Sequence, residues 1–431
     1  MVSNFKKTLK NQSPISLALG ISSLLIPVVA LYATKGIVVL FSFVVLVCLF
    51  VFITKQGTRP VFPKLFSLSV LALTGWAFAS LIWTVSSDLS WNVSRSMPIS
   101  MLGGLLILAS LKTLDTTDQV FVTQSLIGGF LIGLSLTIFD ITTDFTASKI
   151  VNIFKTDNTW SLISHIDMRS FVINNGVSIL TMLLWPTMIV LSIQNRYKLA
   201  LFGFFTTLFI IFSSVNFAAA VAIGVGSLSF LVAFFAPSIF YKITTIGITI
   251  LILGTPFVMT ILPDARTVGK NLPELSYSVY PRLVIWQYAS NLIIKKPLVG
   301  HGIRTSRSLS TNETKITFLY RDNGEIHTGN TEKIPLHPHN GIIQIWLELG
   351  FGGAILGLML ILCSLKGIKS CIAPKMSKAL AYAALTSSVC LISVSYGLWQ
   401  SWWLASLWLQ GSLVTVSLIP RDDFHSSSLQ T

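Results

Sequence analysis

The chain has 431 residues, of which 52% are hydrophobic and only 11% charged, with 30 Lys+Arg against 16 Asp+Glu and a mean hydropathy of +0.75. A soluble domain is about a quarter charged, so this composition excludes a soluble enzyme, a disordered tail and a secreted disulfide scaffold. In a membrane chain the net +14 first reports topology rather than nucleic-acid binding, and no nucleic-acid partner is expected.

A helix needs about 20 apolar residues to cross a bilayer. Such stretches are predicted near 15–33, 36–54, 66–86, 97–111, 120–140, 171–193, 199–214, 216–235, 243–262, 341–363, 379–397 and 399–419. The fold class expected is therefore an all-α polytopic membrane protein of about twelve spans. The first stretch lacks a small-residue cleavage site and is read as a retained span. With the N-terminus inside, the alternate inner loops hold Lys55, Arg59, Lys64, Lys112, Arg196, Lys198, Lys242, Lys366, Lys369, Lys375 and Lys378. The short outer loops hold only Lys35 and Arg95. That asymmetry predicts both termini inside.

Two connections exceed a turn, 141–170 and 263–340, and both are predicted outside. The second divides the chain into an N-terminal bundle of about nine spans (1–262), a long outer loop (263–340), and about three C-terminal spans with a tail (341–431). Loops of that length are usually functional or disordered. Within it an amphipathic helix is predicted over 281–294, opened by Pro281. Arg282, Trp286, Ala289 and Ile293 share one face, and a placement at the membrane surface is expected.

The chemistry is sparse. There is no Gly-rich Lys-Ser/Thr loop for a nucleotide and no zinc spacing among His and Cys. Cys48, Cys363, Cys371 and Cys390 give neither a metal nor a disulfide pattern. No acid precedes Asp88, so a glycosyltransferase with a carboxylate base in a large first outer loop is excluded. The informative segment is Leu336-His337-Pro338-His339-Asn340-Gly341, continuing to Gly350. Asn340, Gln344 and Glu348 recur every four residues and line one helix face. An acid within a span normally faces protein or a wet cavity, and two histidines above it offer a base near neutral pH. The plainer alternative is that Gln344 and Glu348 bond neighbouring helices while the histidines cap the helix.

These residues resemble the O-antigen ligase / O-antigen polymerase family. The family pattern of His, then Asn, Ser or Gln, then nine residues and Gly-x-x-Gly appears as His339-Asn340, Gly350 and Gly353. Its Arg, Trp and Pro-Leu-x-Gly-x-Gly appear as Arg282, Trp286 and Pro297-Leu298-Val299-Gly300-His301-Gly302. Detailed similarity covers about residues 280–360. The resemblance implies an enzyme of the bacterial inner membrane acting at the periplasmic face. It would move a glycan from undecaprenyl diphosphate to a sugar hydroxyl on the lipid A core, with inversion and without metal or cofactor. His339 would be the base and Arg282 would hold the diphosphate. His337, Asn340, Gln344, Glu348 and Trp286 are candidate substrate-binding residues. A second family Arg is absent: Asn216 stands at its place and Asn174-Asn175-Gly176 replaces an Asn-Arg-Gly. Arg169 and Arg304, with Arg307, are the candidate substitutes. A polymerase of the same family is a close rival. A transporter or flippase is the rival of another class, but it predicts charges near several span midpoints and repeated halves, and neither is present.

Overall fold

The computed structural model describes residues 12–54, 59–153, 168–214, 216–271, 279–310, 315–322 and 325–420. The helices are α1 (Pro14–Tyr32), α2 (Ile37–Thr54), α3 (Lys64–Ala79), α4 (Ser87–Ser110), α5 (Thr116–Thr142), α6 (Thr146–Ile153), α7 (Met168–Ile193) and α8 (Tyr197–Ser213). Then come α9 (Phe217–Phe235), α10 (Pro237–Ile261), α11 (Ala265–Asn271) and α12 (Val279–Lys295). An antiparallel hairpin, β1 (Ile316–Asp322) and β2 (Glu325–Thr331), precedes α13 (Gly341–Ser370), α14 (Lys375–Val394) and α15 (Ser401–Leu418).

Among the described residues, ten helices are long and apolar enough to cross a membrane. Twelve were expected. The two remaining stretches form α8 and α15, of 17 and 18 residues, which stand outside that set. The short stretch predicted at 97–111 belongs to the 24-residue α4, which starts at Ser87. Outward-facing side chains agree with a lipid solvent. Val39, Leu46 and Ile53 on α2, Phe205 and Phe212 on α8, and Ile243, Ile246 and Ile250 on α10 are all at least half exposed. In water such surface would be an interaction patch; against acyl chains it costs nothing.

Two apolar cores fill the bundle. One gathers α1, α2, α5, α7, α8, α9 and parts of α14 and α15 around Phe41, Phe130, Trp185 and Trp403. The other gathers α3, α10, α12, α13 and part of α4 around Met97, Ile343, Trp346 and Leu347. Phe230, Ile368 and Trp408 pack against both, so the cores adjoin.

The long 263–340 connection is more structured than expected. Residues 281–294 are helical, with the helix beginning two residues earlier, at Val279, and packed between the second core and the hairpin. Ile285, Ala289 and Ile293 enter the second core. Tyr280 and Val284 pack on Phe318 of the hairpin, with Tyr280 stacked on it at 5.9 Å. The hairpin was not expected. Its sequence signal is alternating β-formers over 316–320 followed by Asn323-Gly324, a strong two-residue hairpin turn; residues 323–324 themselves lie outside the described set.

Helix α13 positions the site. Its 30 residues would run about 45 Å at 1.5 Å each, longer than the roughly 30 Å hydrocarbon core. Gly350, at φ 64 and ψ −161, breaks it. Residues 341–350 are buried all round, whereas 351–370 expose one side. The segment after the break is therefore the one matched to lipid, and the segment before it is enclosed by protein.

Candidate functional site

The break in α13 frees backbone groups that a continuous helix would use itself, and the turn after α12 takes them up. His301 N donates to Leu347 O at 2.9 Å and Gly302 N to Glu348 O at 2.8 Å. In return Phe351 N donates to Pro297 O at 2.8 Å and Gly352 N to Leu298 O at 3.2 Å. The two chains touch through glycine. A Cβ on Gly350 would lie 2.5 Å from the Leu298 carbonyl, and one on Gly300 would lie 2.6 Å from that of Glu348. Both glycines have positive φ, which only glycine adopts freely. Trp76 Nε1 donates to Leu349 O at 2.9 Å and Trp83 Nε1 to Val299 O at 3.0 Å, tying α3 and the turn after it to the same junction.

The polar stripe of α13 faces protein. Glu348 is fully buried. Its carboxylate accepts from Arg304 N at 2.5 Å, Trp399 Nε1 at 2.6 Å, Gln344 Nε2 at 3.1 Å and Ser306 Oγ. Gln344 Oε1 accepts from Leu398 N at 2.8 Å. Asn340 caps the helix, its Oδ1 accepting from Ile342 N and Ile343 N at 3.0 Å each; Asn340, and not the histidines, is the cap. Arg304 has a left-handed backbone, φ 59, and an exposed side chain. Glu348 thus holds the 304–306 turn and the start of α15 against one helix.

His339 stands at the head of that helix with φ 53, a conformation uncommon outside glycine and costly unless its surroundings fix it. Three contacts do so. Its Nδ1 lies 3.1 Å from Ser395 O. Its backbone N donates to His337 Nδ1 at 3.3 Å. The two rings meet edge to face at 4.3 Å. A carbonyl only accepts, so the Ser395 bond places the proton on Nδ1 and leaves Nε2 with its lone pair. Burial, together with the Arg282 charge, holds His339 below its ordinary value. Burial and the neighbouring His339 push His337 down to about 4. Both rings are therefore neutral at neutral pH. Gly397 packs on the His337 ring where a Cβ would collide with it.

Arg282 and Trp286 reach this segment from α12. Trp286 Nε1 donates to Pro338 O at 2.9 Å, so this ring fixes the His-Pro-His turn. Arg282 is half-buried, and burial lowers its pKa, though a guanidinium stays charged in proteins. The structure thus brings Arg282, Trp286, His337 and His339 together.

Asn216 lies in a separate network at the same end of the bundle. It caps α9 by accepting from Ala219 N at 3.0 Å, and its Nδ2 donates to Asn174 O at 3.1 Å. Tyr396 OH lies 3.0 Å from Ser178 Oγ and donates to Asn174 O at 3.4 Å. Asn175 Nδ2 donates to Thr34 Oγ1 at 3.3 Å. Arg169 opens α7, but its side chain lies outside the described residues. Sequence reasoning missed Ser395, Leu398 and Trp399. No local pattern marks them, because they meet His339, Gln344 and Glu348 across more than fifty residues.

Fold and site together define a polytopic α-helical membrane protein in which a histidine at the head of a broken helix lies beside an arginine of α12 at one end of the bundle. A family model described as O-Antigen ligase matches residues 200–358, which include α12, the His-Pro-His turn and the α13 break. A Rickettsia conorii protein provisionally named a polysaccharide ligase is 30% identical over 258 residues, 59% of each chain. A Rickettsia typhi protein of the same provisional name is 26% identical over 358 residues, 82% of this chain and 80% of its own. The match thus spans 59% of the first relative's length. Residues 200–358 thus resemble the O-antigen ligase family.

Proposed function

We propose that the chain is a glycosyltransferase that moves a glycan en bloc from undecaprenyl diphosphate to a lipid A–core sugar hydroxyl at the periplasmic face of the inner membrane. The observation that carries this reading is His339: a half-buried, neutral imidazole pinned through Nδ1 beside the Arg282 charge. In the proposed reaction Nε2 takes the proton of the acceptor hydroxyl as its oxygen attacks the anomeric carbon. The bond from that carbon to the diphosphate oxygen breaks, and the diphosphate leaves bearing the negative charge. A forked guanidinium stabilises that charge as it develops. Arg282 supplies it from α12, and Arg304, with its exposed side chain, is the candidate second cation. Glu348, Gln344, Asn340 and Trp286 serve as positioning residues in this reading, because their polar atoms are bonded to protein.

The test is a glycolipid profile of a deletion strain complemented with variants. His339→Ala and Arg282→Ala should leave full-length glycan on the lipid diphosphate and remove it from the core. For the base the loss is about 10²- to 10⁴-fold in rate. Undiminished core glycan with either variant would sink the assignment. Single repeats on the core, in place of accumulated long chains, would instead indicate a polymerase.

A further inference from the structure

We propose that the corner formed by the end of α12 and the turn that follows it, residues 294–299, is a docking site for the headgroup of an anionic phospholipid. Three independent observations converge there.

The first is depth. The lipid-matched part of α13 begins after Gly350, and 20 residues from there to Ser370 give about 30 Å, the thickness of the hydrocarbon core. The 297–300 turn is bonded to that break through Phe351 N and Gly352 N. The span Lys64–Ile82 gives a second measure. It ends beside Trp83, whose Nε1 donates to Val299 O. Both helices put this turn at the bilayer boundary.

The second is surface chemistry. Ile294, Leu298 and Val299 are 50%, 69% and 37% exposed, and Ile82 on the neighbouring turn is 87% exposed. Lys295 and Lys296 are exposed between them. Apolar side chains interleaved with lysines, next to a Trp, are the pattern of a segment seated in the headgroup region.

The third is unmatched charge. Residues 279–310 contain no acid. Described acids on neighbouring elements are Asp88 at the start of α4, Asp264 before α11, Glu325 and Glu332 in and after β2, and Glu348. Glu348 is buried, with its oxygens on the donors given above, and Asp88 forms no ion pair. Among the described residues no ion pair joins Lys295 or Lys296 to an acid. The lysines of this corner therefore face the headgroup layer uncompensated, and a phosphodiester supplies the missing anion. Each basic residue at an anionic surface contributes about 1 kcal/mol.

The experiment uses the full chain, purified in detergent and given defined mixtures of phosphatidylglycerol and phosphatidylcholine. Retained lipid is counted by native mass spectrometry. Wild type should retain phosphatidylglycerol preferentially. The double variant K295A/K296A should lose that preference by about tenfold or more while remaining folded by size-exclusion chromatography. K198A, an exposed lysine at the opposite end of the bundle, should leave it unchanged. An undiminished preference in K295A/K296A overturns the proposal. Equal loss in K198A also overturns it, since charge anywhere would then suffice. Complete displacement of the lipid by millimolar inorganic phosphate would show a phosphate site in place of a lipid one. None of these readouts depends on glycosyl transfer, so failure here is separable from failure of the proposed reaction.

Discussion

Glu348 and His339 show how far a single residue can be read from sequence. The four-residue spacing of Asn340, Gln344 and Glu348 placed them on one face, and that face was legible. What the face meets was not, because its partners Arg304, Ser306, Leu398 and Trp399 arrive from two other segments. Glu348→Gln keeps one acceptor oxygen but turns an NH₂ group toward donors. Bonds to a charged group contribute about 1.5–3 kcal/mol each, so a stability loss of about 3 kcal/mol is expected. It would be read as a lowered melting temperature with faster proteolysis within 300–310; an unchanged melting temperature would show that the carboxylate charge is not needed. For His339 the working form is the neutral base. Its folded value lies below the ordinary 6.5 because of burial and the Arg282 charge. Transfer should therefore fall on the acid side with a midpoint below 6.5. A pH–rate profile checks this. A midpoint above 6.5 would contradict the lowered, neutral ring.

At the scale of the element, α13 is the decisive piece. Its glycines were visible in the sequence as a motif, yet the motif alone did not say that Gly350 breaks the helix. The break is a consequence of the turn bearing Gly300, because the two backbones approach too closely for either to carry a side chain. Gly350→Ala must place a Cβ 2.5 Å from the Leu298 carbonyl at φ 64. The named causes, backbone strain and overpacking, put the cost at about 2–4 kcal/mol. Gly367→Ala, where a Cβ meets nothing within 4 Å, is the control. Thermal unfolding in detergent should separate the two by about 2–4 degrees. Helix α12 teaches the complementary lesson. Its helical character was legible, but its setting was not, because the hairpin that covers Tyr280 and Val284 joins it only in three dimensions.

At the scale of the whole molecule, alternating helix directions bring Thr34, Asn174, Asn216, the 395–400 turn, α12 and His339 to one end of the bundle. The expected topology makes that end the outer one. Single cysteines at Arg307 and Lys198, on a background without native cysteines, should react with an impermeant maleimide from opposite sides of the membrane. Labelling of both from the same side would refute the twelve-span plan. By itself the sequence determined the membrane class, the helix positions and the His-Arg motif. Hydrophobic length, basic-residue asymmetry and short-range spacing are all local quantities. Only the tertiary structure decided that the acid stripe holds the framework together, that Asn340 is the cap, and that Ser395 fixes the histidine tautomer. Those outcomes depend on hydrogen bonds between segments far apart in the chain, and a buried polar group must find its partner wherever the fold delivers one.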